Sequence, residues 1–391
     1  MEKKSNIQSF SIYGLFDKYD VSIPFESDIK ILVGENGLGK TTILDMFNLF
    51  LTNPKALSNY PFHEIEMSFT DRTAKKLKKN GVRNAKPVIS QAISVNHYPT
   101  YRRIEKSRDF LELEKSTEKQ LRSFVKENGL SPIVFNKLKM FLNHAKFKTI
   151  AYSLEDVTER FKSYKVSIDR MSVSFYEQFR DELLQNIAKG IKIDNNEIEI
   201  KKDDILIVLS SLATLESVKN DLLNVLEKGR VTNENMSQWQ LLYGLQNIYN
   251  KRKKLDTCAE NFVSIANKYL IDKKIRYNAE NFHLEVETNN GTISLDQLSS
   301  GEKQLISIFS HIYLPQFRLN KKTGLIPKDV IAIIDEPELS MSIDWQKNFL
   351  PDIWNSGHCQ CLFVATHSPF VFKNKFDTYT YDLENYLQKA K

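Results

Sequence analysis

The chain has 391 residues, of which 41% are hydrophobic and 27% charged, and a formal net charge of +6. This length suits two domains or one domain with a large insertion, and the composition is ordinary for a globular protein. The longest wholly apolar runs, such as residues 330–334, fall far short of the roughly 20 residues that cross a bilayer, and no signal-peptide pattern follows the first residues. We therefore expect a cytoplasmic protein without membrane contact.

Strands and one helix alternate over the first hundred residues. Residues 41–51 have an apolar face at helical spacing, and residues 71–86 are dense in lysine. The segments with the apolar pattern of strands are residues 10–14, 19–25, 29–33, 63–70 and 88–98. This order predicts a sheet that begins near the N-terminus and contains one early helix.

The middle of the chain has a mainly helical pattern, for example at residues 111–125, 212–226 and 239–270, without the sustained heptads of a long coiled coil. Strand character returns at residues 275–287, 291–295 and 378–383, and a helix is expected after Gly301. The apolar runs 330–334 and 361–365 are typical of parallel strands buried on both faces. The prediction is an α/β fold in three parts, an N-terminal lobe (1–103), a mainly helical insertion (104–272) and a C-terminal lobe (273–391).

Residues 34–41, GENGLGKT, lie between a predicted strand and a predicted helix and fit the P-loop pattern GxxxxGK[ST]. Glycines let backbone N–H groups wrap around a phosphate, and the following helix adds its positive N-terminal end. We expect Lys40 to reach the β- and γ-phosphates of ATP and the Thr41 hydroxyl to bind Mg²⁺. The residues expected to contact the nucleotide are Gly34, Asn36, Gly37, Gly39, Lys40, Thr41 and Thr42.

Two carboxylates, Asp335 and Glu336, end the apolar run at 330–334. A buried strand that delivers an acidic pair at its carboxyl end is the Walker B arrangement. Asp335 would then hold Mg²⁺, directly or through water, and Glu336 would act as the general base that polarises the attacking water. The alternative is a plain acidic turn at a strand end, which the P-loop in the same chain disfavours.

The segment LSSGEKQ, residues 298–304, precedes a predicted helix whose N-terminus favours anions. It resembles the LSGGQ-type signature of ABC ATPases, with Ser300 in place of the first glycine and Glu302 in place of glutamine. In that class the signature caps the γ-phosphate of the ATP held by a second subunit. The resemblance therefore implies a homo-oligomer, at least a dimer, with ATP between the P-loop of one chain and Ser300 and Gly301 of another.

His367 follows the apolar run 361–365 and resembles the switch histidine of ABC ATPases, which senses the γ-phosphate. A single histidine is otherwise more often structural. Residues 340–344 lie where the D-loop of this class is expected, although their sequence departs from the usual one. The resemblance thus implies that Glu336 and His367 are the catalytic residues, with ATP and Mg²⁺ as cofactors.

The Q-loop glutamine of this class is less clearly marked. Gln91 lies shortly before residues 98–103 and is the candidate for this role, which would make it a further metal ligand. Arg102 or Arg103 either contacts a phosphate or a partner, or belongs to a surface pair that closes a strand. The sequence leaves both interpretations open.

The four motifs occur in the order found in ABC-type ATPases and cover roughly residues 5–100 and 275–385. About 260 residues separate Lys40 from Ser300, whereas ABC transporters place the signature much nearer the P-loop. This split arrangement resembles the SMC, RecF and OLD class of ATPases. The resemblance implies a P-loop NTPase, that is, an ABC-type ATPase head with a mainly helical insertion.

Two short phrases, residues 13–19 and 99–105, also resemble ATPase subunits of bacterial anti-phage defence systems, of PARIS type or associated with Septu and retrons. That resemblance implies a sensor or scaffold that binds and hydrolyses ATP and controls a separate effector, such as a Toprim or HNH nuclease. The alternative is a RecF- or SMC-like ATPase that binds DNA in repair or recombination. The basic residues 71–86 and 251–254 either bind phosphate backbones or form a solvated surface.

Overall fold

The structure of the protein, a computed structural model, describes residues 5–89, 92–99, 154–189, 200, 202–211, 216–228, 236–278, 283–320 and 324–390. Gln91, Arg102, Arg103 and the predicted helix at 111–125 lie outside these described residues. The strands are β1 (Ile7–Leu15), β2 (Tyr19–Pro24), β3 (Ile29–Val33), β4 (Glu64–Phe69), β5 (Ala74–Lys78), β6 (Ile93–Tyr98), β7 (Lys273–Asn278), β8 (His283–Thr288), β9 (Gly291–Ile293), β10 (Phe317–Asn320), β11 (Gly324–Pro327), β12 (Asp329–Asp335), β13 (Cys359–Ala365), β14 (Thr380–Asp382) and β15 (Leu387–Lys389). The helices are α1 (Lys40–Thr52), α2 (Leu154–Lys189), α3 (Lys202–Ser211), α4 (Glu216–Lys228), α5 (Met236–Lys268), α6 (Ser300–Tyr313), α7 (Ile343–Trp354) and α8 (Pro369–Phe372).

A parallel sheet in the order β14-β3-β13-β12-β6 forms the centre of the molecule. Both faces of its middle strands are covered. On β12, Ile331 and Ile333 point into one core, while Ala332 and Ile334 point into the other. The prediction of parallel strands buried on both faces is therefore confirmed, because such strands need apolar side chains at every position.

The first core lies between this sheet, helix α1 and an antiparallel sheet in the order β15-β2-β1-β4-β5. Aromatic rings from all three layers meet there. The ring centroid of Phe47 on α1 lies 5.1 Å from that of Phe10 on β1 and 5.0 Å from that of Phe363 on β13. This packing holds α1, and with it the loop before it, against the sheet.

The second core covers the opposite face of the parallel sheet with α6, α7 and the adjoining ends of α2 and α5. Its largest buried rings include Phe262, Phe309 and Phe349. Asp352 on α7 joins the layers, because its carboxylate accepts hydrogen bonds of 2.6 Å from both Lys268 Nζ and the Tyr269 hydroxyl at the end of α5. The long helix α5 is thus attached to the helix that follows the predicted D-loop.

Helices α2 and α5 run antiparallel. Phe161, early in α2, contacts Phe262, late in α5, edge to face, and Phe179, late in α2, lies against Gly244, early in α5. A Cβ on Gly244 would lie 1.7 Å from the Phe179 ring, so the two helices approach closely at this glycine. The sequence pattern predicted the helix at 239–270 but not its pairing with α2, because the pair lacks a sustained heptad pattern. None of the helices in the described ranges is long and apolar enough to cross a bilayer.

Several local predictions need correction. The strand character predicted over 275–287 belongs to two antiparallel strands, β7 and β8, and the pairing of Ile275 with Val286 buries both side chains. The strand predicted at 88–98 begins only at Ile93. Helix α6 begins at Ser300, one residue before Gly301. The lysine-dense segment 71–86 contains β5 and a short 3-10 helix, since β4 offers a free edge with which β5 pairs.

Candidate active site

The loop between β3 and α1 forms a concave backbone surface at the carboxyl edge of the parallel sheet. Gly34, Gly37 and Gly39 have φ angles of 148°, 88° and 91°, which side-chain-bearing residues rarely adopt. Lys40 begins α1, and its Nζ donates hydrogen bonds of 2.8 Å to the carbonyl oxygens of both Gly34 and Glu35. The ammonium group therefore lies across the loop that the sequence predicts to bind phosphates.

The other predicted nucleotide contacts lie around this loop. Asn36 is exposed on it, and Thr41 and Thr42 are half-buried in the first turn of α1. The N–H groups of this turn lack intrahelical partners, and they carry the positive end of the helix dipole. The arrangement provides N–H donors, a cation and hydroxyl groups in one place, which suits a polyphosphate.

An aromatic ring, that of Phe16, flanks the loop, although no motif in the sequence marks it as part of the site. Phe16 and Asp17, in the β1–β2 turn, have φ angles of 57° and 56°, a left-handed conformation that favours aspartate but is unusual for phenylalanine. The Phe16 ring lies beside Gly39, where an added Cβ would be 3.0 Å from Cε2. Asp17 pairs with His63 across the turn at 3.2 Å. Two consecutive residues in this strained region indicate a local conformation that the surrounding contacts hold in place.

The strand order brings the remaining motifs to the same edge. Because β13 lies between β3 and β12, the loop after β13 falls between the P-loop and the acidic pair. The Thr366 N–H donates to the Leu32 carbonyl at 3.1 Å, and the Glu336 N–H donates to the Ala365 carbonyl at 2.9 Å. His367 Nε2 lies 3.9 Å from Glu336 Oε1. The structure thus places Lys40, the acidic pair and His367 around one space.

Glu336 itself adopts a left-handed conformation, with φ 46° and ψ 60°. For a glutamate this conformation is strained, and such strain clusters at functional positions. Burial lowers the pKa of Lys40, and attraction by the carboxylates of Glu336, Asp335, Glu338 and Asp382 opposes that effect. Lys40 therefore lies among several carboxylates, of which Glu338 and Asp382 were not predicted from the sequence.

Glu338 contacts the loop that carries His367. It lies in the short 3-10 helix Pro337–Ser340, and its two carboxylate oxygens accept hydrogen bonds from the His367 N–H at 2.7 Å and the Thr366 hydroxyl at 2.8 Å. The signal in the sequence was only an additional glutamate after the acidic pair. Its partners lie 28 and 29 residues away, so no local pattern could identify them.

The signature segment forms a capped helix start. Ser299 is the N-cap of α6 and forms a capping box with Glu302, while Ser300 is exposed. Lys273 Nζ donates to both oxygens of Glu302, at 2.9 and 3.0 Å. Burial raises the pKa of Glu302, but the bonds from Lys273 and Ser299 outweigh it, so the pKa lies below its ordinary value. Glu302 therefore stabilises the helix start, and no hydrogen bond or ion pair among the described residues joins Ser300 or Gly301 to residues 34–42.

Three lysines of the two basic stretches pair with carboxylates within the fold. Lys76 and Lys78 on β5 lie opposite Glu66 and Glu64 on β4, with nitrogen–oxygen distances of 2.9 and 4.0 Å. Lysines on an outer strand also protect a sheet edge from pairing with other chains. On α5, Lys253 lies 3.8 Å from a carboxylate oxygen of Asp204. These contacts favour a solvated surface over a phosphate-binding one.

A P-loop at the carboxyl edge of a parallel sheet, next to an acidic pair and a histidine, defines a P-loop ATPase. The sequence matches the AAA ATPase domain family (AAA_15) over residues 7–372. The chain therefore belongs to this family, and it is an ATPase. The predicted α/β P-loop fold, with helices inserted between the two parts of the sheet, and the predicted ATP hydrolysis are confirmed.

Among curated proteins, the chain is similar to the retron Ec83 probable ATPase of Escherichia coli. The two are 24% identical, and the match covers 92% of this chain and 67% of the relative. The predicted resemblance to retron-associated ATPases is thereby confirmed. Among solved structures, an SMC head bound to the C-terminal winged-helix domain of ScpA shows 13% identity and a TM-score of 0.38, covering 94% of this chain and 91% of its own. The SMC head domain from Thermotoga maritima shows 12% identity and a TM-score of 0.35, with the same coverage.

Proposed function

We propose that the chain forms a homodimer around two ATP molecules and controls a separate effector, such as a Toprim or HNH nuclease, in anti-phage defence. One observation supports the proposed homodimer. Lys40, Glu336 and His367 face one edge of the sheet, whereas Ser300 is exposed at the start of α6 without a described contact to its own P-loop. A second copy related by twofold symmetry can supply the missing helix start to each site.

In this proposal the P-loop binds the phosphates. Lys40 exchanges its two carbonyl acceptors for β- and γ-phosphate oxygens, and Ser300 and Gly301 of the second copy approach the γ-phosphate. The Thr41 hydroxyl and the buried Asp335 carboxylate are hard oxygen donors of the kind that Mg²⁺ prefers, so they fit this ion. When bound, Mg²⁺ neutralises phosphate charge. Further contacts come from Gly34, Asn36, Gly37, Gly39 and Thr42, and the role of Gln91 stays a prediction.

Hydrolysis then uses Glu336 and His367. Glu336 accepts a proton from a water molecule while the water oxygen attacks the γ-phosphorus. The bond between the γ-phosphorus and the bridging oxygen breaks, and ADP leaves with its electrons. His367 contacts the γ-phosphate and Glu336 together, which its separation of 3.9 Å from Glu336 permits. The products are ADP and inorganic phosphate.

Exposed apolar side chains next to this edge support an interface. Leu339, Ile343 and Phe370 are 44%, 49% and 42% exposed. Leu339 and Ile343 follow the acidic pair, and Phe370 follows His367. Large apolar side chains that flank a polar site favour burial against a partner, and a second copy of the same chain is the partner proposed here.

The effector and its defence role are supported by the similarity to a retron ATPase. The DNA-binding alternative has less support, because three lysines of the basic stretches already pair with Glu64, Glu66 and Asp204. In the proposal, the two copies close around ATP, and the closed dimer holds the effector. ATP hydrolysis then reopens the dimer.

The dimer is tested with Glu336→Gln, which should bind ATP without hydrolysing it and become dimeric on addition of ATP and Mg²⁺, as measured by light scattering. Adding Ser300→Arg should leave ATP binding intact and keep the protein monomeric. Ser58→Arg, which places the same charge at an exposed serine elsewhere, is the matched control and should dimerise. Normal hydrolysis by the single variant Ser300→Arg would show that the site is complete within one chain.

The effector is tested by co-expressing the tagged chain with the product of its neighbouring gene. We expect co-purification, with ATP changing the amount or activity of the retained protein, and Lys40→Ala abolishing that response. A DNA mobility shift that weakens with salt, without a retained protein, would instead establish the DNA-binding alternative.

A further inference from the structure

Glu338 attaches the loop after β13 to the loop after β12. The chain leaves the parallel sheet at Thr366, whose N–H still bonds to the Leu32 carbonyl. The next N–H, that of His367, has no ladder partner, and Glu338 Oε1 accepts it at 2.7 Å. The Glu338 carboxylate therefore supplies the acceptor that a neighbouring strand would otherwise offer to the His367 N–H.

The second oxygen of Glu338 extends this attachment. Oε2 accepts the Thr366 hydroxyl at 2.8 Å, and the same hydroxyl accepts the Ser368 N–H at 3.1 Å. The Ser368 hydroxyl in turn donates to Gln346 Oε1 at 2.6 Å on helix α7. Three consecutive residues of the loop are thus held by a hydrogen-bond network centred on one carboxylate, and bonds to a charged acceptor are the stronger kind.

We propose that Glu338 is a positioning residue that fixes the distance of the His367 ring from Glu336 and from the γ-phosphate. Its bonds fix the backbone of His367 and leave the ring free, with Nε2 3.9 Å from Glu336 Oε1. A displacement of about 1 Å at such a contact can cost up to about 100-fold in rate. This inference rests on the role of His367 in the proposed function.

A competing role for Glu338 is purely electrostatic, since its charge also acts on Lys40. The two roles predict different behaviour for Glu338→Asp. Aspartate keeps the charge but is one methylene shorter, so it cannot reach both Thr366 and His367 from the same backbone. If the length of the side chain matters, Glu338→Asp lowers ATP hydrolysis as much as Glu338→Ala does. If charge alone matters, it retains activity.

The test is a double-mutant cycle on steady-state ATP hydrolysis, with the dissociation constant of a fluorescent ATP analogue measured in parallel. We expect Glu338→Ala to lower kcat by about 10- to 100-fold and to change nucleotide affinity by less than about threefold. In a His367→Ala background, the same change should lower kcat by less than about twofold, because its effect passes through His367. The exposed carboxylate variant Glu384→Ala is the control and should keep wild-type turnover.

The inference is overturned if Glu338→Ala keeps wild-type kcat. It is also overturned if Glu338→Ala lowers kcat by the same factor in the His367→Ala background as in the wild type, or if the variant loses nucleotide affinity by the same factor as kcat. If Glu338→Ala does not fold, Thr366→Val removes one of the two bonds and should show a smaller loss that is also absent in the His367→Ala background. Wild-type turnover by His367→Ala itself would instead remove the histidine from the proposed function, which distinguishes the two failures.

Discussion

Lys30 allows a quantitative test of the packing around the P-loop strand. This lysine lies in the middle of β3 and is 1% exposed. Its Nζ lies 3.4 Å from the ring centroid of Tyr381 and donates to the Tyr386 hydroxyl at 3.3 Å. Burial lowers the pKa of Lys30 from 10.5 to about 8, and attraction to Glu26 opposes part of that shift. The rings contribute a cation–π attraction that keeps a charged group inside the fold.

The sign of the effect on stability follows from proton binding. Between about pH 8 and pH 10.5 the unfolded chain binds more protons at Lys30 than the folded chain does, so the free energy of unfolding rises with pH. The two pKa values together give a gain of about 1.3 kcal/mol between pH 7 and pH 9. Burial raises the pKa of Tyr381 and raises that of Tyr386 to about 12, so these phenols stay neutral in this window.

The experiment compares urea unfolding of the wild type and Lys30→Met at pH 7 and pH 9. The wild type should gain about 1.3 kcal/mol relative to Lys30→Met over this interval. Lys55→Met, which removes an exposed lysine, is the control and should follow the wild type. Parallel pH dependence of the wild type and Lys30→Met would refute the reasoning, because it would mean that Lys30 titrates alike in both states.

Two further predictions concern the signature helix and the P-loop. Glu302→Gln should lower the free energy of unfolding at pH 7 by about 1–2 kcal/mol, because Lys273 loses its charged partner. The pKa of Glu302 is lowered in the folded state, so this stabilisation is present above about pH 4.3 and is lost as the pH falls through the folded-state pKa. Chemical denaturation at pH 3 should therefore show a smaller difference in unfolding free energy between the wild type and Glu302→Gln than at pH 7. An equal difference at both pH values would contradict the assignment. Phe16→Ala should weaken ATP binding by about tenfold in a calorimetric titration if the ring beside Gly39 stacks on adenine, and Phe16→Trp should retain binding. Equal affinity of Phe16→Ala and the wild type would exclude that contact.

The sequence predicted the parts of the site that depend on local pattern. Glycines spaced around Lys40 between a strand and a helix can be recognised without knowledge of the rest of the fold. The acidic pair at Asp335 and Glu336 was likewise marked by the apolar run before it. The joint role of Glu336 and His367 at this site was implied only by the resemblance to ABC ATPases.

The sequence could not identify contacts between segments far apart in the chain. Glu338 meets Thr366 and His367 because β12 and β13 are neighbours in the sheet, a pairing that hydrophobic periodicity does not encode. In the sequence, Glu302 was marked only as a departure from the glutamine of the signature. Its pairing with Lys273, from a different strand, makes it part of the helix cap instead.

What the amino-acid sequence determined by itself was the class of chemistry, since backbone conformation at glycines, strand hydrophobicity and a helix N-terminus act over a few residues. The tertiary structure decided how that chemistry is arranged. It placed Ser300 without a described contact to its own P-loop, paired Lys76 and Lys78 of β5 with carboxylates, and brought Glu338 to the switch loop. These outcomes depend on strand order and helix packing, where many weak apolar contacts across the two cores choose one arrangement.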